Sequence, residues 1–80
     1  MRFKELREDA DYTQKRIAEY LNIKQNTYSQ YETEQRQIPI EALIKLAFLY
    51  NTSIDYIVEI TDESKPYKRK WKPYNRLSWQ

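Results

Sequence analysis

The sequence predicts an all-α fold of five short helices, and three observations lead there. Apolar residues recur at spacings of three and four, which places them on one helical face. Residues able to start a helix stand before several of those stretches, at Thr13, Pro39 and Ser53. No segment sustains the alternation of a half-buried strand, and no internal repeat is present.

Phe3, Leu6 and Ala10 form the apolar stripe of a first helix of about two turns. Thr13 is placed to cap a second helix, Gln14 to Leu21, with Tyr12 packing forward on Ile17 as a hydrophobic staple. That helix buries Ile17, Ala18 and Leu21 and sets Gln14, Lys15 and Arg16 in its first turn, where free amides point outward. Arg16 occupies the place of a capping-box glutamate, so the reciprocal bond is missing. Asn22 tolerates the left-handed backbone of a tight turn, and Ile23 plugs its underside. A third helix, about Gln25 to Thr33, turns Tyr28, Tyr31 and Glu32 toward the core and leaves Gln25, Asn26, Ser29 and Gln30 on the other face. Pro39 suits the first position of a fourth helix, whose stripe is Ile40, Leu43, Ile44, Ala47 and Tyr50. Asn51-Thr52-Ser53 interrupts that pattern, and Ser53 caps a last helix carrying Ile54, Ile57 and Val58.

Composition removes whole classes of chemistry. The 80 residues contain no Cys, no His and no Gly, so disulfides, zinc sites, His-based catalysis and glycine-rich phosphate loops all lose their usual residues. No catalytic residue, cofactor or metal site is expected. Asp9 and Asp11 are the one metal-like pair, and an EF-hand loop would need glycine where Gln14 stands. The longest apolar run is Leu46 to Tyr50, too short for the roughly 18 residues of a membrane span, and nothing at the N-terminus resembles an export signal, which points to the cytoplasm.

Charge divides the chain into two parts. Residues 1–62 hold 8 Lys and Arg against 11 Asp and Glu, a net of −3; residues 63–80 hold 6 against 1, a net of +5. A tail carrying Lys65, Lys68, Arg69, Lys70, Lys72 and Arg76 among Tyr67, Trp71, Tyr74 and Trp79 suits an anionic partner. It could equally be a solvated terminus, or fold back on the body or on a second subunit.

The run from Tyr12 to Glu32 resembles the helix-turn-helix of the XRE family, which includes phage Cro proteins and lambdoid repressors. The resemblance rests on Thr13-Gln14, the small Ala18, Leu21 and Ile23 around the turn, and Ser29-x-Tyr31-Glu32, all in register. It continues through Ile38-Pro39, Leu43 to Ala47, and Ser53 to Tyr56, covering about residues 2–61. It implies a five-helix, lambda-repressor-like DNA-binding domain over residues 1–62 and leaves the basic, aromatic tail over 63–80 unexplained. By that resemblance Gln25, Asn26, Ser29 and Gln30 read bases in the major groove, where a Gln or Asn amide matches adenine N6 and N7. Gln14, Lys24, Thr33 and Arg36 contact phosphates, and Arg7 and Glu32 form an internal ion pair.

Departures stand beside these matches. The family commonly places Asn-Gly and basic residues after the position of Glu32, whereas this chain has Thr33-Glu34-Gln35-Arg36. An acid near phosphate is repulsive, and a body of negative charge neutralises few phosphates. The resemblance implies a transcriptional regulator, a repressor acting as a homodimer on a pseudo-palindromic operator. Phe48, Leu49, Tyr56, Ile60, Trp71 and Trp79 are candidates for a dimer face. The alternative keeps the scaffold for protein interaction, as an antitoxin-like or regulator-binding module, which the acidic body also suits.

Overall fold

A computed structural model describes residues 1–68 of the chain. The element order is α1 (Phe3–Asp9), α2 (Gln14–Leu21), α3 (Gln25–Glu32), α4 (Ile40–Leu49) and α5 (Ile54–Ile57). No strand occurs among the described residues, and none of their helices is long and apolar enough to cross a membrane.

One core joins all five helices. Phe3 from α1, Ile17, Ala18 and Leu21 from α2, and Tyr28 and Tyr31 from α3 meet Leu43, Leu46 and Ala47 of α4 and Ile57 of α5. Ile38 closes the core from the α3–α4 link. Complete burial of a side chain such as Ile17 or Leu46 removes enough apolar surface from water to stabilise the fold by about 1.5–3 kcal/mol. Helices this short gain little from propensity alone, so this shared core is what holds them.

Helix starts follow local chemistry. The Thr13 hydroxyl oxygen accepts from the Arg16 amide at 3.0 Å, and the Ser53 oxygen accepts from the Tyr56 amide at 3.0 Å. Pro39 lies one position earlier than expected: with ψ 151° it is extended backbone preceding α4 and not its first helical residue.

Helix ends share one solution made without glycine. Asp11, Asn22, Glu34, Asn51 and Glu59 all adopt left-handed backbone, with φ between 52° and 68°. After each of them the next amide reaches back across the helix end: Tyr12 to the Arg7 carbonyl, Ile23 to Ala18, Gln35 to Gln30, Thr52 to Ala47 and Ile60 to Asp55, at 2.8 to 3.0 Å. These are Schellman closures, which satisfy carbonyls that the end of a helix would otherwise leave open.

The apolar stripes differ from expectation at their ends. Ala10 and Ile40 are exposed, and Leu46, outside the expected stripe of α4, is fully buried. Ala10 has left the helix and terminates α1, while Ile40 stands on the first turn of α4, before the helix reaches the core. Thr33 terminates α3 instead of extending it.

Beyond α5 the chain lies back against the body. The buried Thr52 hydroxyl donates to the Ser64 carbonyl at 2.7 Å, and the Tyr67 hydroxyl donates to Asp55 Oδ2 at 2.6 Å. At the other end, the Arg2 amide donates to the Ile57 carbonyl at 2.9 Å. The Arg2 guanidinium lies 4.3 Å from the centre of the Tyr56 ring and pairs with Asp62 at 2.9 Å.

Candidate nucleic-acid interface

The turn between α2 and α3 is three residues long, Asn22, Ile23 and Lys24. Asn22 takes φ 59°, ψ 46°, which reverses the chain tightly enough to pack α3 against α2. Ile23 lies partly buried beneath the turn. The orientation of α3 is therefore set by a short, hydrogen-bonded corner and by its own buried face.

That buried face is aromatic and acidic. Tyr28 is fully buried, Tyr31 is nearly so, and the Glu32 side chain is 4% exposed. An uncompensated carboxylate at that depth would be costly, and two side chains compensate it. Arg7 donates from Nε and Nη2 to the two Glu32 oxygens, the second bond measuring 3.2 Å, while its Nη1 donates to the Tyr12 carbonyl at 3.0 Å. Gln14 donates from Nε2 to Glu32 Oε1 at 3.0 Å. Burial pushes the Glu32 carboxyl up, but Arg7, the neighbouring Tyr28 hydroxyl and Gln14 outweigh burial and hold it below the ordinary glutamate value. One carboxylate at the end of α3 thus fastens α1, the start of α2 and the base of α3.

The opposite face of α3 carries Gln25, Asn26, Ser29 and Gln30. Gln25 and Asn26 are exposed, Ser29 and Gln30 half-exposed. Their side chains make no hydrogen bond among the described residues. The result is a row of hydrogen-bond donors and acceptors open to solvent.

The surrounding residues differ in what they offer. Lys24, at the start of α3, and Arg36, in the loop after it, are exposed cations. Lys15 and Arg16, in the first turn of α2, are also exposed; they were not among the site residues expected from sequence, although their place in a first turn was the signal. The Gln14 and Lys15 amides, at the first two positions of α2, have no acceptor within their own helix, as at any helix start. Thr33 differs: its hydroxyl donates to the Ser29 carbonyl at 3.1 Å, so its proton closes the end of α3. Glu34 takes φ 60°, the backbone of the glycine that the family commonly places there. The Gln14–Glu32 hydrogen bond was also not foreseen, since eighteen residues separate the two and no spacing rule links them.

Residues 3–57 match the helix-turn-helix family. The chain is 47% identical over 64 residues to the HTH-type transcriptional regulator ImmR of Bacillus subtilis, a stretch that covers 80% of this chain and 50% of that protein. It is 37% identical over 65 residues to the uncharacterized HTH-type transcriptional regulator YobD of the same organism, covering 81% of this chain and 58% of the relative. The chain therefore spans about half the length of the curated relatives it matches. No solved structure matches it.

Proposed function

The chain belongs to the XRE-type helix-turn-helix family, and from that premise we propose that it is a sequence-specific regulator of transcription that binds double-stranded DNA. One observation carries the reading: α3 turns Gln25, Asn26, Ser29 and Gln30 outward without internal partners while Tyr28, Tyr31 and Glu32 lock its other face into the core. A helix so presented fits the major groove, and its amides pair with base edges, adenine foremost. Gln14, Lys24 and Arg36 meet the phosphates, the first aided by the free amides and positive end of α2. Thr33 joins them when its hydroxyl leaves the Ser29 carbonyl.

In this reading the protein is a repressor that occupies a pseudo-palindromic operator as a homodimer, its two α3 helices about 34 Å apart. The dimer face draws on Phe48, Leu49, Tyr56 and Ile60, of which Ile60 is 75% exposed. Trp71 and Trp79, also candidates for that face, lie outside the described residues.

Selection of random duplex DNA by the purified chain, followed by titration at two salt concentrations, tests the reading. The expected result is an inverted repeat with half-sites about 10 base pairs apart, bound more weakly as salt rises. Sequence-blind binding, or none, would refute operator recognition and turn the search to a protein partner of the same surface.

A further inference from the structure

Gln14 stands where α2 would meet the DNA backbone, yet its amide nitrogen is already bound to Glu32 Oε1 at 3.0 Å. A phosphate accepts hydrogen bonds and donates none, so a glutamine can serve it only through the nitrogen end of its carboxamide. In solution a glutamine amide has no preference between its two orientations. Here the preference is imposed from below. Glu32 as a carboxylate is acceptor-only, and both its oxygens are held in place by Arg7. Turning the Gln14 amide over would set its carbonyl oxygen against that carboxylate, oxygen to oxygen.

We infer that Glu32 is a positioning residue for DNA-backbone binding: its carboxylate fixes the Gln14 carboxamide in the one orientation that offers a proton to phosphate. Gln14 Nε2 carries two protons. Glu32 takes one, and the other, with the backbone amides of Gln14 and Lys15, is left for the anion. Arg7 contributes indirectly, by fixing the carboxylate and cancelling a negative charge that would otherwise lie beneath the phosphate. This inference rests on the DNA-binding reading and adds to it a role for a buried residue that touches no DNA.

Glutamine at position 32 separates positioning from simple burial, because it offers both a donor and an acceptor and so accepts Gln14 in either orientation. The experiment is a double-mutant cycle of Gln14→Ala and Glu32→Gln, titrated against the duplex recovered by selection, with folding checked by circular dichroism. Glu32→Gln is expected to weaken binding about three- to tenfold more when Gln14 is present than when it is alanine, since the charge it leaves on Arg7 is common to both backgrounds. Equal weakening in both backgrounds would make Glu32 a merely structural residue and overturn the inference while leaving DNA binding intact. A chain that binds no duplex overturns both. Should Glu32→Gln fail to fold, nitrogen-15 NMR of the unaltered chain decides: one Gln14 side-chain proton should be shifted downfield and slow to exchange. Two freely exchanging, averaged protons would overturn the inference.

Discussion

Asp11, Asn22, Glu34, Asn51 and Glu59 hold backbone that glycine adopts without cost, and their Cβ atoms meet the following carbonyl in doing so. Asparagine bears this best, glutamate poorly. Replacing Glu34 by glycine should therefore stabilise the fold by about 0.5–1 kcal/mol, offset in part by the freer unfolded chain, and Glu59→Gly should gain less, because it also removes the 2.8 Å ion pair with the Met1 amine. Asn22→Gly should change less, and thermal denaturation of the three variants gives the ranking. Tyr50 presents a different cost, since its hydroxyl is buried and has no hydrogen-bond partner among the described residues. Tyr50→Phe should keep the contact with Tyr12, whose ring centre lies 6.4 Å away, and raise stability by about 1 kcal/mol. Burial also pushes the Tyr28 and Tyr50 phenols well above the ordinary tyrosine value. Their contribution is thus complete below about pH 10, where unfolded tyrosine ionises, and is lost as pH rises above it. Tyr50→Phe should make the loss of stability above pH 10 less steep in urea titrations.

At the scale of elements, α3 is held by its last residue. Arg7→Met leaves the buried Glu32 charge without its main partner and should cost about 3 kcal/mol in urea unfolding. The pH dependence follows from the lowered Glu32 value. Its contribution is complete above about 4.3, the unfolded value, and is lost as pH falls through the lower folded one. Glu32→Gln should remove that part of the acid dependence. On the outer face, Gln25→Ala should cost about 1–3 kcal/mol on the selected operator and relax the preference at one base pair. Equal loss on every duplex would show Gln25 to be a positioning contact instead. The helix starts were legible because a cap is a local event: a hydroxyl and an amide three residues away, as at Thr13 and Ser53. The faces of α2 and α3 were legible from spacing. The ends of the stripes were not, because Ala10 already terminates α1 and the buried face of α4 is the single stripe Leu43, Leu46 and Ala47, turned toward Leu46 and away from Ile40. The link between Gln14 and Glu32 depends on how α1, α2 and α3 come together, which no local pattern records.

At the scale of the whole molecule, an acidic body is joined to a basic tail, and the two parts should respond differently to salt. Removing residues 63–80 takes away a net +5. If the tail contacts phosphates, binding titrations should show a flatter dependence on salt after its removal; if it joins subunits, sedimentation should show a weaker dimer. The division was plain in the sequence, but the contacts of Ser64 and Tyr67 with the body were not, since a serine carbonyl and a tyrosine hydroxyl carry no spacing signal. The Arg2 clasp has a further consequence, for the order in which the chain assembles as it is synthesised. The amide of Arg2 is bound to the carbonyl of Ile57, and Phe3 beside it is buried, so α1 has no complete docking site until α5 has been made. The contacts of the α2–α3 corner are local in sequence, but its helices too are held by the shared core that α4 and α5 complete. Phe3 therefore stays without its complete pocket until Ile57 has been made, and α1 can join the core only after that point.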